Sequence, residues 1–199
     1  MENSLKKHAG EFTAALASHK YERTGDGRGL YFPKAKAFIS GTYVHDVNGL
    51  DERFDKNLLV DEGLDYLLTV GLFNGTKVGT WYLALYGGNY TPVAALTAAS
   101  FPATASEITS TTEGYTETVR QTWVPAAPNP NIIDNVASKA AFTIATASSL
   151  VVYGAALLSE STRGATTGTL MSATKFAAAR TLYNTDVFNL GYRVQLVAE

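Results

Sequence analysis

The sequence predicts a mainly β protein: an antiparallel β-sandwich, jelly-roll-like, with one helix at the start of the domain and an N-terminal arm. Three observations lead there. The hydrophobic period changes from 3.6 to 2 after the first third of the chain and stays short to the end. The strand segments are not interleaved with helices, which argues against a parallel βαβ sheet. Charge is sparse, at 17% of 199 residues, and Thr, small residues and eleven Tyr take its place, a composition suited to strands and turns.

The arm comes first, and the expected boundaries are 1–56 for the arm and 57–199 for the sandwich. Residues 1–60 carry nine of the sixteen Lys and Arg and all three His. Leu5, Ala9, Phe12 and Leu16 are spaced as one thin apolar helical stripe. Arg23 to Gly29, RTGDGRG, reads as a loop. KAFISGTYVHDVNG alternates only roughly and suggests short extended pieces ended by an Asn48-Gly49 turn.

LLVDEGLDYLL follows, with Asp61, Glu62 and Asp65 inside five residues. Val60, Leu64, Leu67, Leu68, Gly71 and Leu72 fall on one helical face. Asn57 or Asp61 is the expected N-cap. Acids in the first turn meet the positive end of the helix dipole, each contributing roughly 0.3–1 kcal/mol. Gly63 inside that turn costs about 1 kcal/mol against Ala and so hints at close packing. Phe73-Asn74-Gly75 closes the helix.

TWYLALYGG is apolar on both faces and predicts a central strand covered on both sides. A Thr/Ala/Ser-rich stretch follows without clear strands. Pro125, Pro128 and Pro130 then mark an irregular loop. SKAAFTIAT and LVVYGAALLS are two strands, and STRGATTGTLMSATKF reads as a loop with small strand pieces. The last strand is the clearest: Phe188, Leu190, Tyr192, Val194 and Leu196 alternate with Asn189, Gly191, Arg193 and Gln195.

Chemistry-bearing motifs are scarce. Asp61 and Asp65 share a helix face, but two ligands fall short of what Ca²⁺ or Mg²⁺ prefers, and a helix start explains them better. His8, His19 and His45 all precede residue 46, so a Ser-His-Asp site would have to recruit from the arm, and no GxSxG elbow is present. His45 is expected at a surface or interface. No GxxxxGK[ST] occurs, and Asn89-Tyr90-Thr91 is a chance match to a glycosylation site. With no cysteine and a net charge of −2, a disulfide scaffold and a thiolate metal site are excluded, and nucleic-acid binding is not expected. The first residues lack the apolar region of a secretory leader, and no run is long and apolar enough to suggest a membrane helix. No catalytic residue, metal or cofactor is expected. Trp81, Tyr82, Tyr86, Trp123 and Tyr153 are expected in the core, with a carbohydrate groove as the alternative.

The ordered segments NLLVDEGLDYLL, TWYLALYGGNYTP, EGYTETVRQTWVP, DNVASKAAFTI and YGAALLSESTRGATTGTLMSATKF, with the closing alternating strand, are similar to a family of small virion structural proteins of tailed bacteriophages. The likeness spans roughly residues 57–197. It departs from the usual pattern at LTAASFPATASEITS, where relatives often carry a Gly-Trp pair, and it does not reach the first fifty residues. The resemblance implies a non-enzymatic particle component. Its most favoured form is a capsid decoration or cement protein on the virion surface, assembled in the host cytoplasm, clamping neighbouring major capsid protein subunits. A homotrimer at capsid threefold positions is the implied oligomer; a solution mass of 21.3 kDa would count against it. The arm residues expected to meet the partner are Leu5, Phe12, Leu16, Arg23, Arg28, Tyr31, Phe32 and Tyr43. A tail, neck or fibre-attachment component and a carbohydrate-binding module are the competing readings.

Overall fold

The computed structural model describes residues 37–198, with side chains over 39–196, and two short strands ahead of them. Those strands, β1 (Glu22–Arg23) and β2 (Leu30–Tyr31), pair antiparallel. The chain divides into two units, Met1–Phe38 with Val197–Glu199, and Ile39–Leu196. The second begins eighteen residues upstream of the expected boundary at 57, because residues 39–56 form two strands of its sheet. They are β3 (Ala37–Val47) and β4 (Leu50–Lys56). Asn48 and Gly49 join them with φ of 55° and 76°, the left-handed pair that a two-residue hairpin requires.

In chain order there follow β5 (Leu58–Leu59), helix α1 (Asp61–Leu72), β6 (Trp81–Tyr86), the short helix α2 (Phe101–Ala105), β7 (Gly114–Tyr115) and β8 (Gln121–Trp123). Then come β9 (Ile132–Asp134), β10 (Ala140–Ala145), β11 (Leu150–Leu158), β12 (Leu170–Leu182) and β13 (Val187–Ala198). One sheet runs β4-β3-β13-β10-β7, with β9 also paired to β13; the other runs β5-β12-β11-β6-β8. Among the described residues the strands of both sheets pair antiparallel. The expected antiparallel sandwich is therefore the architecture.

The main core lies between the sheets. Tyr43, Phe142, Phe188 and Leu190 from the first meet Leu83, Leu85, Leu157 and Phe176 from the second. Period two explains the contributions: on β6, Leu83 and Leu85 point to this core, while Ala84 and Tyr86 point the other way. That outer face is covered by Leu96, Ala98, Phe101 and Ala105, from the Thr/Ala/Ser-rich stretch. Ala84, Ala156 and Ala173 keep the sheet surface low enough for the cover to sit close. β6 is thus buried on both faces, as its sequence predicts. β12 is a departure: the expected small strand pieces after residue 169 form one thirteen-residue strand. Its alanines and threonines carry no hydrophobic alternation because both of its faces are covered over much of its length.

Candidate binding surface

Helix α1 starts where the acids predict, with Asp61 and Glu62 in its first turn. Neither expected cap is used: Val60 is the N-cap and no side chain caps it. Asn57 instead donates to Tyr192 Oη at 2.7 Å. Glu62 is structural. Its Oε2 accepts the backbone N–H groups of Ala98 and Leu170, both at 2.8 Å, tying the cover and β12 to the helix. Asp61 and Asp65 are exposed. Among the described residues no group of three or more His, Asp or Glu is arranged to hold a metal ion, and no helix is long and apolar enough to cross a membrane.

Gly63 sets the face on which α1 packs. A Cβ there would lie 2.2 Å from the Met171 carbonyl oxygen, so the helix rests its backbone directly on β12. This turns Gly63, Tyr66, Leu67 and Val70 inward. Of the expected face, Val60 is buried and Leu67 turns inward, whereas Leu64, Leu68, Gly71 and Leu72 are turned outward. Leu64 is 37% exposed, Leu68 57% and Leu72 84%, with Phe73 beside them at 81%. Residues four apart lie above one another on a helix, so these side chains form a continuous apolar ridge in water.

Behind the ridge, the inward face of α1 closes one side of an apolar cleft of about 260 Å³ between the sheets. Leu157 and Met171 contribute from the second sheet and Ile133 and Val194 from the first. Trp81 and Trp123 lie directly opposite each other across β6 and β8, and both line the cleft. The Tyr66 ring meets Trp81 edge-on, with centroids 5.1 Å apart. Trp123 Nε1 donates to the Tyr192 carbonyl at 3.0 Å. The two indoles are therefore half-buried between the sheets, as core packing predicts, and do not form a flat outward platform. Lys77, in the loop after α1, supplies the charged side chain of the lining.

The expected partner-binding residues fare differently. Leu5, Phe12, Leu16, Arg28 and Phe32 lie outside the described residues. Arg23 falls on β1 and Tyr31 on β2, and their side chains are likewise outside the described set. Tyr43 is a correction: it is fully buried, its ring 4.5 Å from that of Tyr192 and its hydroxyl 2.9 Å from Ser172 Oγ. It is a core residue, unavailable to a partner, and burial pushes its phenol well above the usual value.

His45 is a second correction, since it is fully buried rather than at a surface. Its ring stacks on Phe176 at 4.0 Å and lies between Asp55 and Arg180. A second buried charge cluster joins Arg120 to Glu107 through two hydrogen bonds of 2.7 Å. Both clusters hold distant strands and loops together, and Arg180 with its partner Asp51 also lines an open surface cavity of about 420 Å³. Tyr66, Val70 and Lys77 were not legible as surface- or cleft-forming residues. The available signal was the breadth of the α1 apolar arc, which includes Leu64, Leu67, Leu68, Val70 and Leu72 and exceeds what one packed face needs.

Neither a protein-family model nor a curated protein matches this chain.

Proposed function

We propose that this chain is a non-enzymatic structural component of a tailed-phage virion, a capsid decoration or cement protein that seats on the outer shell. Two supports converge. The ordered segments between residues 57 and 197 resemble such proteins. The ridge of Leu64, Leu68, Leu72 and Phe73 gives a rigid scaffold an apolar face to lay on a protein surface. The ridge carries the proposal, because a helix that exposes three leucines, with Phe73 just past its end, loses nothing by burying them and gains contact area. Major capsid subunits are the proposed partner, and a trimer the proposed oligomer.

Rebinding to depleted particles tests this. Particles stripped of the protein are mixed with purified wild-type chain or with the Leu68→Glu/Leu72→Glu double variant, then sedimented. Wild type should co-sediment and the double variant should remain in the supernatant. Equal binding of the two would remove the ridge from the interface.

A further inference from the structure

The chain has two Asn-Gly pairs, Asn48-Gly49 and Asn74-Gly75, and both asparagines are exposed. This dipeptide is chemically labile. The glycine backbone nitrogen attacks the carboxamide carbon of the asparagine, because glycine has no side chain to obstruct the five-membered ring. A C–N bond forms and ammonia leaves. Water then opens the cyclic imide at one of its two carbonyls and leaves aspartate or isoaspartate. The nucleophile is the deprotonated amide nitrogen. The reaction therefore needs a mobile carboxamide and a glycine N–H that can lose its proton.

The fold treats the two pairs differently. The Asn48 carboxamide is held at both ends: Oδ1 accepts the Val187 N–H at 2.8 Å, and Nδ2 donates to Asp186 Oδ1 at 2.9 Å. Its backbone N–H also donates to the Val187 carbonyl at 2.8 Å. The Gly49 N–H donates to Asp46 Oδ1 at 2.8 Å, and Asp46 is 4% exposed. Removing that proton would set an amide anion against a buried carboxylate. Asn74 has no such restraint among the described residues. The side-chain hydrogen bonds around its turn run from Thr69 Oγ1 to the Asp65 carbonyl and from the Val78 N–H to Tyr66 Oη, and neither engages Asn74. The Gly75 N–H donates to a neutral carbonyl, that of Thr69, at 3.1 Å, and shares it with the Phe73 N–H at 3.2 Å. That carbonyl lies in the last turn of α1, where helices fray. Packing fixes the glycine itself, since a Cβ at Gly75 would lie 2.6 Å from Thr69 Cγ2.

We infer that Asn74-Gly75 is a site of spontaneous deamidation in the folded chain, and that the fold holds the same chemistry shut at Asn48-Gly49. Conversion at Asn74 places a carboxylate next to Phe73, at the end of the apolar ridge. Its consequence rests on the proposed function: an aged chain carries a charge beside the docking face and seats less tightly on the shell.

The full chain is incubated at mildly alkaline pH and physiological temperature, then mapped by peptide mass spectrometry with isoaspartate-specific methyltransferase labelling. Asn74 should convert to a mixture of aspartate and isoaspartate, and Asn48 should convert at least roughly tenfold more slowly. In urea, where the fold is lost, the two sites should convert at comparable rates. Asn74→Gln should remove the signal at this position without lowering the unfolding temperature, because its longer side chain closes the ring poorly. Equal rates at Asn48 and Asn74 in the folded chain would overturn the inference. So would an Asn74 that converts in urea but not in the folded chain. The consequence is read separately, by sedimenting stripped particles with wild-type chain or with Asn74→Asp. Weaker binding of the variant is expected, and equal binding would overturn the link to the ridge. Failure of the wild-type chain itself to bind would remove the docking reading and that link together, while conversion at Asn74 is decided by the mass map alone.

Discussion

Arg180 Nε donates to Nδ1 of His45 across 3.1 Å, and this one contact fixes the proton on a buried imidazole. A guanidinium only donates, so Nδ1 carries no hydrogen. The proton is therefore on Nε2, which donates to Asp55 Oδ2 at 2.8 Å. The other oxygen of Asp55 accepts the Ala177 N–H at 2.6 Å. A second proton on His45 would set one N–H against another.

Acid sensitivity follows. Burial first, and then the Arg180 charge, hold the imidazole below its usual value, against the opposing pull of Asp55. The unfolded chain takes up that proton near the ordinary value of about 6.5. Stability is then level above about pH 7 and falls as the pH drops below about 6.5, until the folded imidazole is itself protonated. Asp46, whose carboxyl is held low by Asn189, Lys139 and the Gly49 N–H despite its burial, adds a loss only at more acid pH. Thermal unfolding between about pH 7.5 and pH 5.5 checks this. Wild type should lose stability across that range and His45→Gln, less stable throughout, should show a flatter profile; parallel profiles would be contrary.

Arg120 and Glu107 form a fully buried two-pronged pair. Arg120 also donates to the carbonyls of Glu160 and Ala165, and Glu107 accepts the Gly164 N–H. The pair thus anchors the loop between β11 and β12. Breaking such a pair strands a charge, so Arg120→Ala should cost about 3–5 kcal/mol in urea denaturation, whereas Arg120→Met with Glu107→Leu should cost less than the single change. A loss under about 1 kcal/mol for Arg120→Ala would mean that the site admits water.

Gly63→Ala reverses the usual helix rule. Propensity alone would stabilise by about 1 kcal/mol. The Met171 carbonyl stands 2.2 Å from the new Cβ, and backbone there has no rotamer by which to yield. The variant should lose about 1–3 kcal/mol by chemical denaturation, and a gain would show that α1 lifts from β12 freely.

The ridge should separate stability from attachment. Leu68 and Leu72 are 57% and 84% exposed, so changing each to Glu should alter stability by no more than about 0.5 kcal/mol. A larger loss by denaturant unfolding would mean that the ridge packs on the chain's own domain in solution.

Legibility in the sequence tracked how local each cause was. β13 alternates over its length because one face meets the core, and β6 reads as apolar throughout because both faces are covered. The Asn48-Gly49 turn and the close approach of Gly63 were legible because one or two adjacent residues carry each. The strands β3 and β4 were not. β4 lies at a sheet edge, and Asp51, Glu52, Arg53 and Lys56 give it the charge that keeps an edge from pairing further, which made it resemble an arm. His45 also meets Arg180, and Arg120 the carbonyls of Glu160 and Ala165, all distant in sequence, so no local pattern announces those contacts. The inward face of α1 was only partly legible because Gly63 selects it by backbone contact, so that Leu67 turns inward while Leu64, Leu68 and Leu72 face water.

The most direct test is the position of this chain in the intact particle, by cryo-electron microscopy with symmetry-imposed and symmetry-free reconstruction. Under the proposed function, density should repeat over the icosahedral shell, with the sandwich fitted so that Leu64, Leu68, Leu72 and Phe73 lie against major capsid subunits. Density confined to the tail or neck, or a sandwich seated with α1 facing solvent, would contradict it.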